Sequence, residues 1–303
     1  MTVGTAKVTG FFTAVRSMFA EFLGDDDSEV PRLPEGLPDA VAPIAIEGVE
    51  RLIDYQGNGY AQLYVDRLRR FVGRRNVDAA LLSDIARLMA LRMSYDDPIR
   101  IAQTKLVEAK TGAGVVPKRE AIWRFRLDEL VGALPAMVAE PLLDVLEWKG
   151  WTHKPFPLRL NTDTAWGLRR RKIEASMRRW RLVSVRYAKE RVWVERWLHM
   201  IDRSLVKQPA AASAIAQSAT MIQGYGDAYR QGLADWNLII DGLVKPTFDG
   251  ALPLSDLAGA IAEARAAARP DPRQAALKRT IAEIRLRAET RQIVLPTTVP
   301  HTR

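Results

Sequence analysis

The sequence predicts a mainly α-helical protein, a multi-helix bundle. Three observations predict it. Apolar residues recur at three- and four-residue spacing along most of the chain. Proline and glycine gather at a few breaks between those stretches. Strand–helix alternation is absent, which argues against a doubly wound sheet, and no motif repeats at about 33–47 residues, which argues against a solenoid. The pattern leaves room for two helical subdomains and a minor short β-hairpin.

The elements follow in order. Residues 8–23 read as an N-terminal amphipathic helix, with Phe11, Phe12, Val15, Met18, Phe19, Phe22 and Leu23 at helical spacing. It would either dock on the protein's own body or serve as a detachable anchor for a partner groove. Only Lys7 and Arg16 are basic, which weakens a membrane-surface reading. Residues 24–38 are a linker, acidic at its start and carrying three prolines and two glycines. A helical domain then covers 39–294, with a subdomain boundary expected near 112–118 or 150–161. Its first three helices fall at 39–56, 58–73 and 77–94. A fourth begins at Asp96-Asp97-Pro98, where the acids cap and the proline sits near the first helical position. Residues 111–117 form a loop.

Residues 119–125 are a short extended piece. Helical periodicity returns over 127–149, interrupted at Pro135 and Pro141. Residues 151–161, framed by Pro155 and Pro157, are extended or irregular, and can pair with 119–125 as a small sheet. The longest stretch without proline is 164–204, opened by the cap cluster Thr162-Asp163-Thr164. Helices at 209–222 and 228–243, a loop at 245–253 and two closing helices at 255–268 and 272–289 complete the domain. Residues 295–303 read as a disordered tail.

Composition narrows the chemistry. The chain has 303 residues, of which 48% are hydrophobic and 27% charged, an ordinary globular balance that rules out wholesale disorder. There is no cysteine, so disulfides, thiolate zinc sites, cysteine-held iron–sulfur clusters and Cys nucleophiles are excluded. His153, His199 and His301 are too scattered for a familiar metal site. The P-loop, the dinucleotide fingerprint, the nucleophile elbow and the H-E-x-x-H zinc motif are all missing. Charges interrupt the apolar start of the chain, so it makes a poor export signal. No run reaches the ~18–20 apolar residues of a membrane span. These features point to a cytoplasmic protein.

The net charge is +9, and residues 164–203 supply nearly all of it, with 12 Lys and Arg against 4 Asp and Glu. The densest runs include Arg169, Arg170 and Arg171, then Arg178, Arg179 and Arg181. Three readings stand: a solvated face whose long side chains cover apolar surface, a docking surface for an acidic protein, and phosphate contact with a nucleic acid. Trp193 and Trp197, four residues apart, look like a buried stripe rather than a stacking platform. No nucleic-acid-binding signature accompanies them, which argues against the third reading.

One turn invites a ligand. In Gly224-Tyr225-Gly226-Asp227, followed by Arg230, the glycines free the backbone and the arginine supplies a cation. That arrangement suits a carboxylate or phosphate. The plainer reading makes Asp227 a helix cap that pairs with Arg230 three residues on.

Several stretches occur in the same order as in one family. They are Arg32–Pro38 (RLPEGLP), Glu47–Gln56 (EGVERLIDYQ), Tyr60–Leu68 (YAQLYVDRL), Leu91–Arg100 (LRMSYDDPIR) and Ile222–Asp227 (IQGYGD), with a similar segment around Met177–Arg181. Over about residues 30–270 the chain resembles the C-terminal helical region of the long-form indolepyruvate ferredoxin oxidoreductase beta subunit. Long-form subunits begin with a gamma-type α/β catalytic domain. In this sequence a short helix and an acidic linker stand in its place. The resemblance implies an accessory or structural subunit that docks on separately encoded catalytic chains, and is not catalytic alone. The reaction served would be oxidative decarboxylation of an aryl 2-oxoacid to its acyl-CoA, with ferredoxin or a similar carrier taking the electrons. Thiamine diphosphate, magnesium and iron–sulfur clusters would belong to the partner chains, and none to this one. Docking would use Phe11, Phe12 and Phe19 of the N-terminal helix and the arginines of the basic segment. The alternative is a stand-alone binder of a small anionic ligand at the Gly224–Arg230 turn.

Overall fold

A computed structural model describes residues 29–95, 122–127, 131, 136–152, 155–159, 184–224, 226–268, 271 and 273–294. These residues are mainly helical, and the chain forms two compact units. The first comprises Met1–Val72 and Met89–Val192, the second Gly73–Leu88 and Trp193–Arg303. The chain therefore visits each unit twice. Of the boundaries read from the sequence, 150–161 falls inside the first unit, and 112–118 lies outside the described residues.

The first unit is built on α1 (Ala42–Gln56) and α2 (Asn58–Arg69), packed against each other. Only Gly57 separates them. Its φ of 105° turns the chain, and its N–H donates back to the Ile53 and Leu52 carbonyls. Gly48 of α1 lies against Tyr64 of α2, where a Cβ would stand 2.7 Å from the phenol oxygen. Leu52, Tyr55, Tyr64, Val65, Leu68 and Phe71 are buried around this crossing. Burial pushes the Tyr64 phenol well above its usual pKa.

α3 (Ala79–Met93) and α5 (Val185–Lys207) each contribute to both units. At its first-unit end α3 delivers Arg92 and Met93, and Tyr95 follows two residues beyond it. The Tyr60 hydroxyl donates to the Met93 carbonyl at 3.0 Å. Tyr55 meets Tyr95 edge-on at 5.8 Å, and Tyr60 lies 5.9 Å from Tyr187. Beside these rings Glu190 accepts from Arg92 and Arg186, both at 3.2 Å, with the Glu190 side chain 3% exposed. The Arg186 guanidinium lies 5.3 Å from the Tyr95 ring centre.

β1 (Ile122–Arg126) and β2 (Pro155–Arg159) pair antiparallel, with Phe125 opposite Phe156. The small sheet expected from the sequence is thus present, its first strand shifted a few residues from the expected 119–125, but it is not a hairpin, because a helix and not a tight turn joins the strands. Two prolines are tolerated in β2 because a two-stranded sheet leaves one side of each strand unpaired. Between the strands runs α4 (Ala136–Trp148). It continues through Pro141, where the sequence predicts a break, at the cost of one backbone hydrogen bond.

The second unit is organised by α5, α6 (Ala212–Ser218), α7 (Gly226–Ile239), α8 (Lys245–Phe248), α9 (Leu257–Ala267) and α10 (Ala275–Val294). Its core is a group of indoles. Trp193 and Trp197 stack with planes 8° apart, and Trp236 meets Trp193 edge-on at 5.1 Å. Trp197 Nε1 donates to the Ile215 carbonyl at 3.1 Å. Trp236 Nε1 donates to Ser218 Oγ at 2.9 Å, and Ser218 Oγ donates in turn to the same Ile215 carbonyl at 2.6 Å. The buried stripe expected from the sequence is therefore present.

The loop expected at 245–253 starts later. α7 runs on through a π-helical turn, Ile240–Val244, into α8, which contains Pro246. A proline has no N–H for the carbonyl four residues back, here Gly242, and the wider turn absorbs the mismatch. The Gly242 carbonyl instead accepts from Arg285 of α10 at 2.9 Å. The single helix expected at 209–222 is likewise split into α6 flanked by 3-10 turns at Pro209–Ala211 and Ala219–Met221.

Candidate functional site

The predicted site residues divide three ways. Phe11, Phe12, Phe19, Arg169, Arg170, Arg171, Arg178, Arg179, Arg181 and Tyr225 lie outside the described residues. Gly224 and Gly226 bracket the start of α7. Gly224 has a φ of 67° and open space where a Cβ would go, so the turn itself requires glycine there. Asp227 lies in the first turn of α7, where its charge suits the helix dipole, and accepts from Arg230 at 2.8 Å. The pairing with Arg230 in the plainer sequence reading is present, whereas Asp227 stands inside the first turn and not at the cap position.

A cleft of about 620 Å³ opens beside that turn, on another face of α7. Its walls come from the Ala219–Met221 turn, α7 and the end of α9. On α7 the lining positions are Ala228, Gln231, Gly232 and Asp235. Asp227 and Arg230 are on a different face by helical periodicity. Gly232 sets the shape of the wall. A Cβ there would lie 2.2 Å from the Met221 carbonyl oxygen, so only glycine lets α7 lie this close to the preceding turn.

Among the described residues, two charged side chains line the cleft. Asp235 is 5% exposed. Its Oδ1 accepts from the carboxamides of Gln231 at 2.8 Å and Gln274 at 2.7 Å, both neutral donors. Gln274 holds this position with a φ of 56°, a conformation a side chain adopts at a cost. Asp271 stabilises that turn, accepting from the backbone N–H of Ala275 and of Arg273, each at 2.9 Å. Those bonds, Ala275's first, hold the Asp271 carboxyl below its usual pKa.

Opposite in sign is Arg265 of α9. One guanidinium nitrogen donates to Thr220 Oγ1 at 2.9 Å. Burial pulls its pKa below the ordinary guanidinium value. α9 is aimed by its cap: Asp256 accepts from the Gly259 N–H at 2.8 Å.

Sequence reasoning missed Arg265 and Asp235. They are 30 positions apart, and α9 reads as an ordinary alanine-rich closing helix. The one local signal was Gly232 in the middle of a helix, a position that costs stability unless something approaches closely.

A second feature lies in the first unit. Leu142 and Val145 of α4 are exposed, as are Trp148 at its end and Trp151 just beyond it, with Trp148 at 83%. The Lys149 amine sits 5.0 Å from the Trp151 ring centre. Large exposed apolar side chains gathered on one short stretch mark an interaction surface more often than chance exposure does. No helix among the described residues is long and apolar enough to cross a membrane.

Comparison with curated proteins finds no match, and comparison with solved structures finds none either. Residues 41–242, two thirds of the chain, match a family described as a family of unknown function (DUF6537), and the chain belongs to that family.

Proposed function

We propose that this chain is a helical accessory subunit that docks on separately encoded catalytic chains of a 2-oxoacid:acceptor oxidoreductase. The observation that carries the proposal is where the family-like residues sit. Within Glu47–Gln56, Tyr60–Leu68 and Leu91–Tyr95, the side chains of Val49, Leu52, Tyr55, Tyr60, Tyr64 and Tyr95 are buried. They build the packed interior of the first unit. The likeness therefore lies in a scaffold, and a scaffold suits a role in assembly. The exposed group Leu142, Val145, Trp148 and Trp151 adds a surface of the apolar kind that a partner protein covers. On this reading the thiamine diphosphate, magnesium and iron–sulfur chemistry belongs to the partner chains, and the chain works in the cytoplasm where they are.

The test is native affinity isolation from the source cells followed by identification of the co-eluting chains. A thiamine-dependent oxidoreductase chain in stoichiometric amount supports the proposal. A lone monomer contradicts it. Trp148→Glu separates docking from folding, because it should remove the partner while leaving the unfolding transition in place.

A second reading, a small-ligand binder, is favoured by one specific observation: the cleft between α7 and α9. Among the described lining residues the cation is Arg265, whereas Arg230 pairs with Asp227 on another face of α7.

A further inference from the structure

We infer that the cleft of the second unit is a binding site for a small zwitterion, an α-amino acid or a close relative, with its carboxylate on Arg265 and its ammonium on Asp235. The inference goes beyond the docking role and stands or falls separately from it.

Two charges in this cleft have no ion-pair partner among the described residues. Arg265 and Asp235 line the same cleft. Among the described residues, neither forms an ion pair with the other or with another side chain. A guanidinium carries five N–H donors, and Arg265 spends one, on a neutral hydroxyl. A carboxylate takes hydrogen bonds on both oxygens, and Asp235 receives both of its bonds on Oδ1. Its Oδ2 therefore remains available at a side chain that is 5% exposed. Asp235 Oδ2 is not among the buried atoms without a partner, so it keeps contact with solvent in the cleft, where a charged ligand group can take the place of water. An ion pair within the protein would satisfy both groups, and none is made among the described residues.

A ligand bearing both charges satisfies both at once. Carboxylate on guanidinium is the strong, often two-pronged contact that arginine makes best. An ammonium donates three hydrogen bonds and suits Asp235 Oδ2. Between the charges the walls are small and mostly apolar, with Ala228, Gly232, Ala262 and Ala266 leaving room and Met221 offering an adaptable surface. The volume, about 620 Å³, lies within the usual small-molecule range. The framing is fixed rather than incidental. Gly232 brings α7 against Met221, Thr220 holds Arg265, and Gln231 and Gln274 hold Asp235.

The experiment is isothermal titration calorimetry of the full chain with each of the twenty L-amino acids. For L-leucine, 4-methylpentanoate (no ammonium) and 3-methylbutylamine (no carboxylate) are the single-charge controls. At least one amino acid is expected to bind, with its single-charge analogues at least tenfold weaker. Arg265→Gln should weaken the amino acid by about 10- to 150-fold, the worth of one charged hydrogen bond, and leave the matching amine unchanged. Asp235→Asn should do the converse. Ala266→Trp fills the cleft without touching either charge, should abolish binding, and keeps the test valid if a charge variant fails to fold. No heat from any amino acid at millimolar concentration overturns the inference. So does affinity within twofold of the parent in both charge variants, or undiminished binding in folded Ala266→Trp.

Discussion

Replacing Gly232 with alanine tests the packing of the second unit at the point where cleft and fold meet. In an ordinary helix interior the change stabilises, because alanine is favoured over glycine by about 1 kcal/mol. Here the new Cβ meets the Met221 carbonyl oxygen at 2.2 Å. A normal carbon–oxygen contact is about 3.3–3.6 Å, so α7 and the Ala219–Met221 turn have to separate by about 1 Å. The obstacle is backbone, which has no rotamer to escape into. Overpacking of this kind costs about 1–3 kcal/mol. Because the obstacle is backbone, the cost should fall at the upper end, about 2–3 kcal/mol, and set against the helical gain the net is a loss of about 1–2 kcal/mol, or roughly 2–8 °C in Tm for a domain of this size. Gly242 supplies the control. Its Cβ would meet only the Ile281 side chain, at 3.0 Å, and a side chain can move. Gly242→Ala should therefore stay within about 1 kcal/mol of the parent. Thermal and urea unfolding of both variants decide the matter. A Gly232→Ala protein as stable as the parent would refute the close approach and, with it, the shape of the cleft.

Three further outcomes follow from the same structure. Glu190→Gln withdraws a buried carboxylate from Arg92 and Arg186, and should lower the urea-unfolding free energy by about 3–5 kcal/mol, as loss of one partner from a buried pair does. The Asp271 carboxyl is held below its usual pKa by backbone N–H groups at the start of α10, so its contribution is present above the ordinary aspartate value near 3.9 and fades as pH falls through the lower folded one. The urea midpoint gap between the parent and Asp271→Ala should accordingly be constant above about pH 5 and close toward pH 2; a gap independent of pH would show that the bonds do not depend on charge. Trp148→Glu, at a side chain 83% exposed, should change stability by less than about 0.5 kcal/mol, read by thermal unfolding, which makes it usable as a docking probe.

The sequence made the helices legible because their apolar faces repeat and their breaks fall at glycine. Gly57 is the clearest case, ending α1 and opening α2 as one residue. The indole stripe was legible for the same reason: Trp193 and Trp197 are four apart and both are buried. Proline misled in two places. Pro141 sits inside α4, and Pro246 lies within α8. In the second case the compensation comes from Arg285, which is 43 residues away from the carbonyl it satisfies and invisible to any local pattern. The candidate site shows the same limit. The Gly224–Arg230 turn drew attention because its residues are adjacent. Asp235 and Arg265 became a pair only once α7 and α9 were packed side by side, since neither carries a local motif.

The measurement that tests the proposed role most directly is native affinity isolation of the untruncated chain from its source cells, with every stoichiometric partner identified and the Trp148→Glu protein run in parallel. The account predicts co-elution with thiamine-dependent 2-oxoacid oxidoreductase chains, lost in the variant. Recovery of the parent protein as a single chain, with no oxidoreductase partner, would contradict it.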